Sequence, residues 1–131
     1  HMIEFHLDSR SGLSPYLQLV QQVRHALRLG TLEPGDQLPT VKDVVGTLAI
    51  NPNTVLKAYR ELEHAGLVSG RPGVGTFVTA SLPDPPVTAQ IPLRRELERW
   101  LVKARTAGLA DESIEALFRD TFRNASARDI A

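Results

Sequence analysis

Four residues close together in the middle of the chain have side chains suited to one kind of chemistry. Asn51, Asn53, Thr54 and Lys57 open a segment in which Val55, Ala58, Tyr59, Leu62 and Ala65 recur at helical spacing. An apolar stripe of that kind faces inward, which turns the amide, hydroxyl and ammonium groups outward. An asparagine amide can pair with N6 and N7 of adenine. Threonine can touch a thymine methyl or a phosphate, and lysine can reach guanine or a phosphate. Asn51 has a competing task, because it precedes Pro52 and can cap the free N–H groups of the helix start. Arg60, one turn beyond Lys57, either reaches a phosphate or pairs with Glu61 or Glu63.

Two further groups join this set. Thr40 and Lys42 open a shorter pattern marked by Val41, Val44, Val45 and Leu48. Thr40 with Asp43 resembles a capping box, and the free N–H groups of a helix start beside a lysine suit a phosphate. Arg71-Pro72-Gly73-Val74-Gly75 lies between two short strand patterns, Leu67–Ser69 and Thr76–Thr79. Arginine suits a narrow minor groove, and Gly73 and Gly75 either let the backbone approach a ligand closely or only serve the turn. Thr76 opens the second strand beside them. A strand follows these glycines where a nucleotide loop would need a helix start, so a mononucleotide site is not expected.

The elements that must position these groups can be read from caps and periodicity. Ser14-Pro15 starts a first helix over Pro15–Leu29, with the serine expected to cap it and Gly30 to stop it. Three helices and a hairpin in this order describe a winged helix-turn-helix over residues 1–80, so the fold class is mainly α with a small β-hairpin. A short second helix braces the third, which then projects; a helix about 10–12 Å across fits the major groove of B-DNA. Pro83-Asp84-Pro85-Pro86 marks a stiff linker, placed at residues 81–92. Residues 93–131 then form a two-helix region. Leu93, Leu97, Trp100, Leu101 and Ala104 mark one apolar face, and Ile114, Leu117, Phe118 and Phe122 mark the other, with the tail from Asn124 expected to fray. Two helices of this size cannot bury both faces alone, so they are expected to pair with the same helices of a second copy. Two linked heads would also gain DNA affinity through effective concentration.

Several motifs in fixed order carry a resemblance. Leu38-Pro39-Thr40-Val41-Lys42-Asp43-Val44, Ile50-Asn51-Pro52-Asn53-Thr54-Val55, Ala58-Tyr59-Arg60-Glu61-Leu62-Glu63, Gly66-Leu67-Val68 and Gly73-Val74-Gly75-Thr76-Phe77-Val78 resemble the GntR family of bacterial transcription regulators. The Asn-Pro-Asn-Thr-Val start and the short C-terminal part resemble its YtrA subfamily. The resemblance implies a cytoplasmic, dimeric repressor that binds a palindromic operator, with a two-helix dimerisation region and, often, a transporter operon as target. Four positions depart from the pattern. Lys42 stands where arginine is frequent, Ala49 where the turn usually has glycine, and Pro52 and Leu56 where many members outside the subfamily carry arginines.

Composition sets the boundaries. The 131 residues are 42% apolar and 23% charged, an ordinary globular balance. Fifteen basic residues offset fifteen acidic ones, so a DNA interface must rest on where the charges sit. The same neutrality keeps open an alternative, a winged-helix module that binds protein without direct DNA readout. A small-molecule effector, if one exists, is expected at the dimer interface or on a partner protein. Cysteine is absent, which excludes disulfides and thiolate chemistry and fits a cytoplasmic setting. His1, His6, His25 and His64 show no metal-ligand spacing, and no Ser-His-acid signature occurs. No enzyme, metal or cofactor is therefore expected. No membrane span or signal peptide is expected either, and His1-Met2 reads as a cloning scar.

Overall fold

The computed structural model describes residues 2–82 and 86–130, the last four by backbone alone. Pro83, Asp84 and Pro85 of the expected linker lie outside the described residues. The chain divides into two compact units, His1–Val87 and Thr88–Ala131. The first holds α1 (Pro15–Leu29), α2 (Val41–Leu48), α3 (Pro52–His64), β1 (Val68–Arg71) and β2 (Gly75–Val78), and α4 (Val87–Thr106) and α5 (Asp111–Ile130) follow.

Packing in the first unit follows the periodicity. Leu19, Val23 and Leu27 of α1 and Val55, Ala58 and Leu62 of α3 are sealed from solvent, and α2 adds Val44. Ala65 is exposed, because α3 ends at His64 and the chain turns away through Gly66 at φ +79°. That left-handed step lets the Leu67 N–H return to the Leu62 carbonyl and sends the chain into β1.

Tyr59 ties α3 to the entrance of α2. Its hydroxyl donates to the Pro39 carbonyl at 2.5 Å, and its ring meets Phe5 with centroids 6.5 Å apart. Burial, and secondly the nearby Asp43 carboxylate, push its ionisation far upward, so the phenol stays a neutral donor at any ordinary pH.

The N-terminal segment is held in a way the helical patterns do not announce. Gln22 accepts the His6 N–H at 3.1 Å and donates to the His6 carbonyl at 2.7 Å. Gln18, buried, accepts the Asp8 N–H at 2.8 Å and donates to the Asp8 and Leu13 carbonyls, each at 3.0 Å. Each amide thus does for an extended chain what a neighbouring strand would do. Residues two apart on that chain match glutamines one helical turn apart on α1. Ser14 does not cap α1 through its side chain as expected. Its carbonyl takes the Gln18 N–H, while the Gln18 amide ties down the approach through Leu13.

The wing is an antiparallel pair with Val68 opposite Val78 and Arg71 opposite Gly75. A third segment joins it. The Leu38 N–H donates to the Thr76 carbonyl and the Val78 N–H to the Asp36 carbonyl, both at 2.8 Å, so β2 is bonded on both sides.

Residues 87–92 are helical and do not belong to a linker ending at 92. Pro92 is the sixth residue of α4, where it lacks the N–H that would bond to the Thr88 carbonyl and its ring crowds that carbonyl, and the helix runs through it at that cost. Beyond Asn124, where the tail is expected to fray, α5 is drawn out as helix to Ile130, each further residue adding a backbone bond. Ala104 and Ile114 are buried where the two helices meet near their turn. None of the helices is long and apolar enough to cross a membrane among the described residues.

Two substitutions test these constraints. Ala49 is the only non-glycine residue at positive φ among the described residues, at φ 54°. Ala49→Gly relieves about 1–2 kcal/mol of left-handed strain against about 0.5–1 kcal/mol of added chain entropy, so thermal or urea unfolding should show a gain of up to about 1 kcal/mol. Tyr59→Phe should lower stability by about 1–2 kcal/mol in the same assay, because the Pro39 carbonyl loses its buried donor.

Candidate nucleic-acid interface

The face of α3 opposite its buried stripe carries Asn53, Lys57 and Arg60, all exposed, with Thr54 half-buried at the margin. Asn51 is the cap: its Oδ1 accepts the Asn53 N–H at 2.8 Å, and its backbone carbonyl accepts the Thr54 N–H at 3.0 Å. The cap bond fixes the direction of the Asn51 side chain and takes one of the two lone pairs of its oxygen, leaving the other lone pair and the NH2 group for a ligand. Asn53 differs. Its side-chain amide has no hydrogen-bond partner among the described residues, so donor and acceptor are both free. Arg60 forms no ion pair among the described residues. Glu63, one of its two candidate partners, instead accepts the Gly70 N–H at 2.5 Å and holds β1 against the end of α3.

Thr40 caps α2, its Oγ1 taking the Asp43 N–H at 3.1 Å. The structure brings Thr40 beside the wing, where it lines a surface concavity of about 530 Å³ with Arg71, Gly73, Gly75 and Thr76. Lys42 is exposed two residues further along α2.

The two wing glycines have different roles. Pro72-Gly73, with Gly73 at φ +75° and the Val74 N–H bonded to the Arg71 carbonyl, forms a type II turn. Space beside Gly73 is open, so backbone there can approach a ligand. Gly75 is packed against the Gln37 side chain, whose amide also reaches the Val74 carbonyl; its lack of a side chain serves contacts inside the protein.

Two aromatic rings belong to this surface although spacing along the chain does not reveal them. Lys57 Nζ lies 3.9 Å from the centroid of Tyr16, and the Arg71 guanidinium lies 4.6 Å from that of Phe77. The periodicity of α1 places Tyr16 only as an apolar-stripe residue, and a contact between α1 and α3 requires the packed structure. No group of three His, Asp or Glu that could hold a metal occurs among the described residues.

Residues 15–78 match the model of the bacterial regulatory proteins of the gntR family. The HTH-type transcriptional repressor YtrA of Bacillus subtilis is 31% identical over 115 residues, covering 87% of this chain and 88% of that protein. The chain belongs to the gntR family. Two solved structures extend the likeness beyond the winged unit. YtrA from Sulfolobus acidocaldarius, a GntR-family transcription factor, aligns with a TM-score of 0.54 at 26% identity, covering 75% of this chain and 97% of that one. A transcriptional regulator from Oenococcus oeni aligns with a TM-score of 0.50 at 32% identity, covering 90% and 99%. As a GntR-family transcriptional regulator, the chain uses a winged helix-turn-helix as its DNA-binding unit.

The hydrogen bonds around the α3 start separate two asparagines that the sequence leaves together. Asn53→Ala should weaken binding to a selected DNA site about tenfold or more while leaving the melting temperature unchanged. Asn51→Ala should cost about 1 kcal/mol of stability through the lost cap. Fluorescence anisotropy paired with thermal melting checks both.

Proposed function

We propose that this GntR-family regulator is a cytoplasmic homodimeric repressor of a palindromic operator. The two copies of α3 would enter successive major grooves about 34 Å apart, with the wings on the minor groove or backbone. The observation that carries this reading is the outer face of α3: Asn53, Lys57 and Arg60 are exposed opposite a fully buried stripe, and the Asn53 amide is unpaired among the described residues. Thr40, Lys42 and Arg71 are read as the flanking phosphate and groove contacts. The reading needs no catalytic step and no cofactor.

Dimerisation is supported by α4 and α5. Away from their turn they leave between them a groove of about 960 Å³ lined by Leu97, Trp100, Leu101, Ile114, Phe118 and Phe122. Phe118 and Phe122 stack with centroids 6.0 Å apart yet remain 45% and 65% exposed. Leu93 and Leu117, 60% and 45% exposed, extend the apolar surface outside the groove. Ala104, expected on the same face, is already buried within the chain. Large apolar side chains left uncovered along one face suit a partner surface that buries them. Glu115, Arg119 and Arg123 edge the same groove, so both signs of charge are present for a self-complementary, two-fold contact.

Selection of bound sites from a random DNA pool should return a two-fold symmetric sequence, and sedimentation should show a dimer. Phe118→Asp alters an already exposed residue, so the winged unit should stay folded while the dimer dissociates and affinity for the symmetric site falls by about a hundredfold. Asymmetric selected sites, or a monomeric wild type, would overturn the reading.

A further inference from the structure

The cations on the candidate interface include two that do not extend freely into solvent. The Lys57 ammonium sits over the Tyr16 ring at 3.9 Å, well inside the roughly 6 Å range of a cation–π contact. The wing repeats the arrangement with Arg71 over Phe77. Tyr16 is the second residue of α1, half-buried against the core, and its hydroxyl has no hydrogen-bond partner among the described residues. The ring thus rests on the packed interior and presents one face to α3. A free lysine is a flexible four-carbon stem that loses rotamer freedom when its head is fixed on a phosphate. A ring already beneath the head reduces that loss before DNA arrives.

We propose that Tyr16 is a positioning residue for DNA binding, whose ring holds the Lys57 ammonium on the outer face of α3 in readiness for a backbone phosphate. The proposal rests on the DNA-binding reading of that face. The ring carries the effect and the hydroxyl does not. Because phosphates carry no sequence information, Tyr16 sets general affinity and its salt dependence, and leaves base preference to its neighbours.

The full chain is tested with a duplex of the selected site in a series of salt concentrations. Tyr16→Phe should bind as the wild type does, and Tyr16→Leu should bind about two- to fivefold more weakly. Lys57→Ala should also weaken binding and flatten the salt slope by about one. In the Lys57→Ala background, Tyr16→Leu should cost nothing further. In the free protein, nuclear magnetic resonance should show the Lys57 ε-methylene signals shifted upfield by the ring in the wild type and in Tyr16→Phe. Three results would each overturn the proposal: Tyr16→Phe as weak as Tyr16→Leu, the same Tyr16→Leu loss without Lys57, or unshifted Lys57 methylenes in the wild type. Misfolding of Tyr16→Leu would appear as the second of these. A wild type that binds no DNA would sink the functional reading and the proposal with it, while the methylene shift would still report whether the pair exists.

Discussion

One constraint organises the winged unit: α3 must bury one stripe completely so that the other can be offered to a ligand. Val55, Ala58 and Leu62 are fully enclosed and Tyr59 nearly so. Through them α3 is fixed against α1 and, by the Tyr59–Pro39 bond, against the entrance of α2. A helix held on that side cannot roll, and Asn53, Lys57 and Arg60 therefore keep a defined direction. Loosening the stripe would scatter the polar edge even with every polar residue intact.

The wing depends on the same frame. Glu63 at the end of α3 holds the Gly70 N–H, and the segment preceding α2 bonds to the far side of β2. Thr40 and the wing are neighbours because one stretch of backbone, Asp36–Leu38, belongs to the sheet and then leads directly into the α2 cap. Two surfaces read as separate along the chain are thus parts of one covalent and hydrogen-bonded frame. The glycines show the consequence: Gly73 is open to solvent, whereas Gly75 accommodates Gln37 from that third segment.

The second unit obeys a different rule. Its helices touch near their turn and leave large apolar side chains uncovered further out, so the pair is incomplete by itself. Trp100, Phe118 and Phe122 were legible as apolar positions from spacing alone. Their separation from Ala104 and Ile114, which close the hairpin internally, was not, because helical periodicity reports which face is apolar and not how much of it the partner helix covers. The linker expected at residues 81–92 extends too far, because α4 already begins at Val87 and runs through Pro92.

What the chain's local chemistry determined was the position of each helix in the winged unit, the α2 and α3 caps, the hairpin, the buried stripe and hence the outward edge of α3. These follow from neighbours a few residues apart, where spacing and cap geometry decide. Tertiary structure alone decided that Gln18 and Gln22 bind the N-terminal segment as a strand would, although the alternation of Ile3, Phe5 and Leu7 was a visible sign of extended chain. It also decided that residues 36–38 join the wing and that Tyr16 lies beneath Lys57. These pair groups far apart in sequence. Side-chain periodicity fixes the direction in which a residue points, but which distant surface it meets is fixed only when the helices pack.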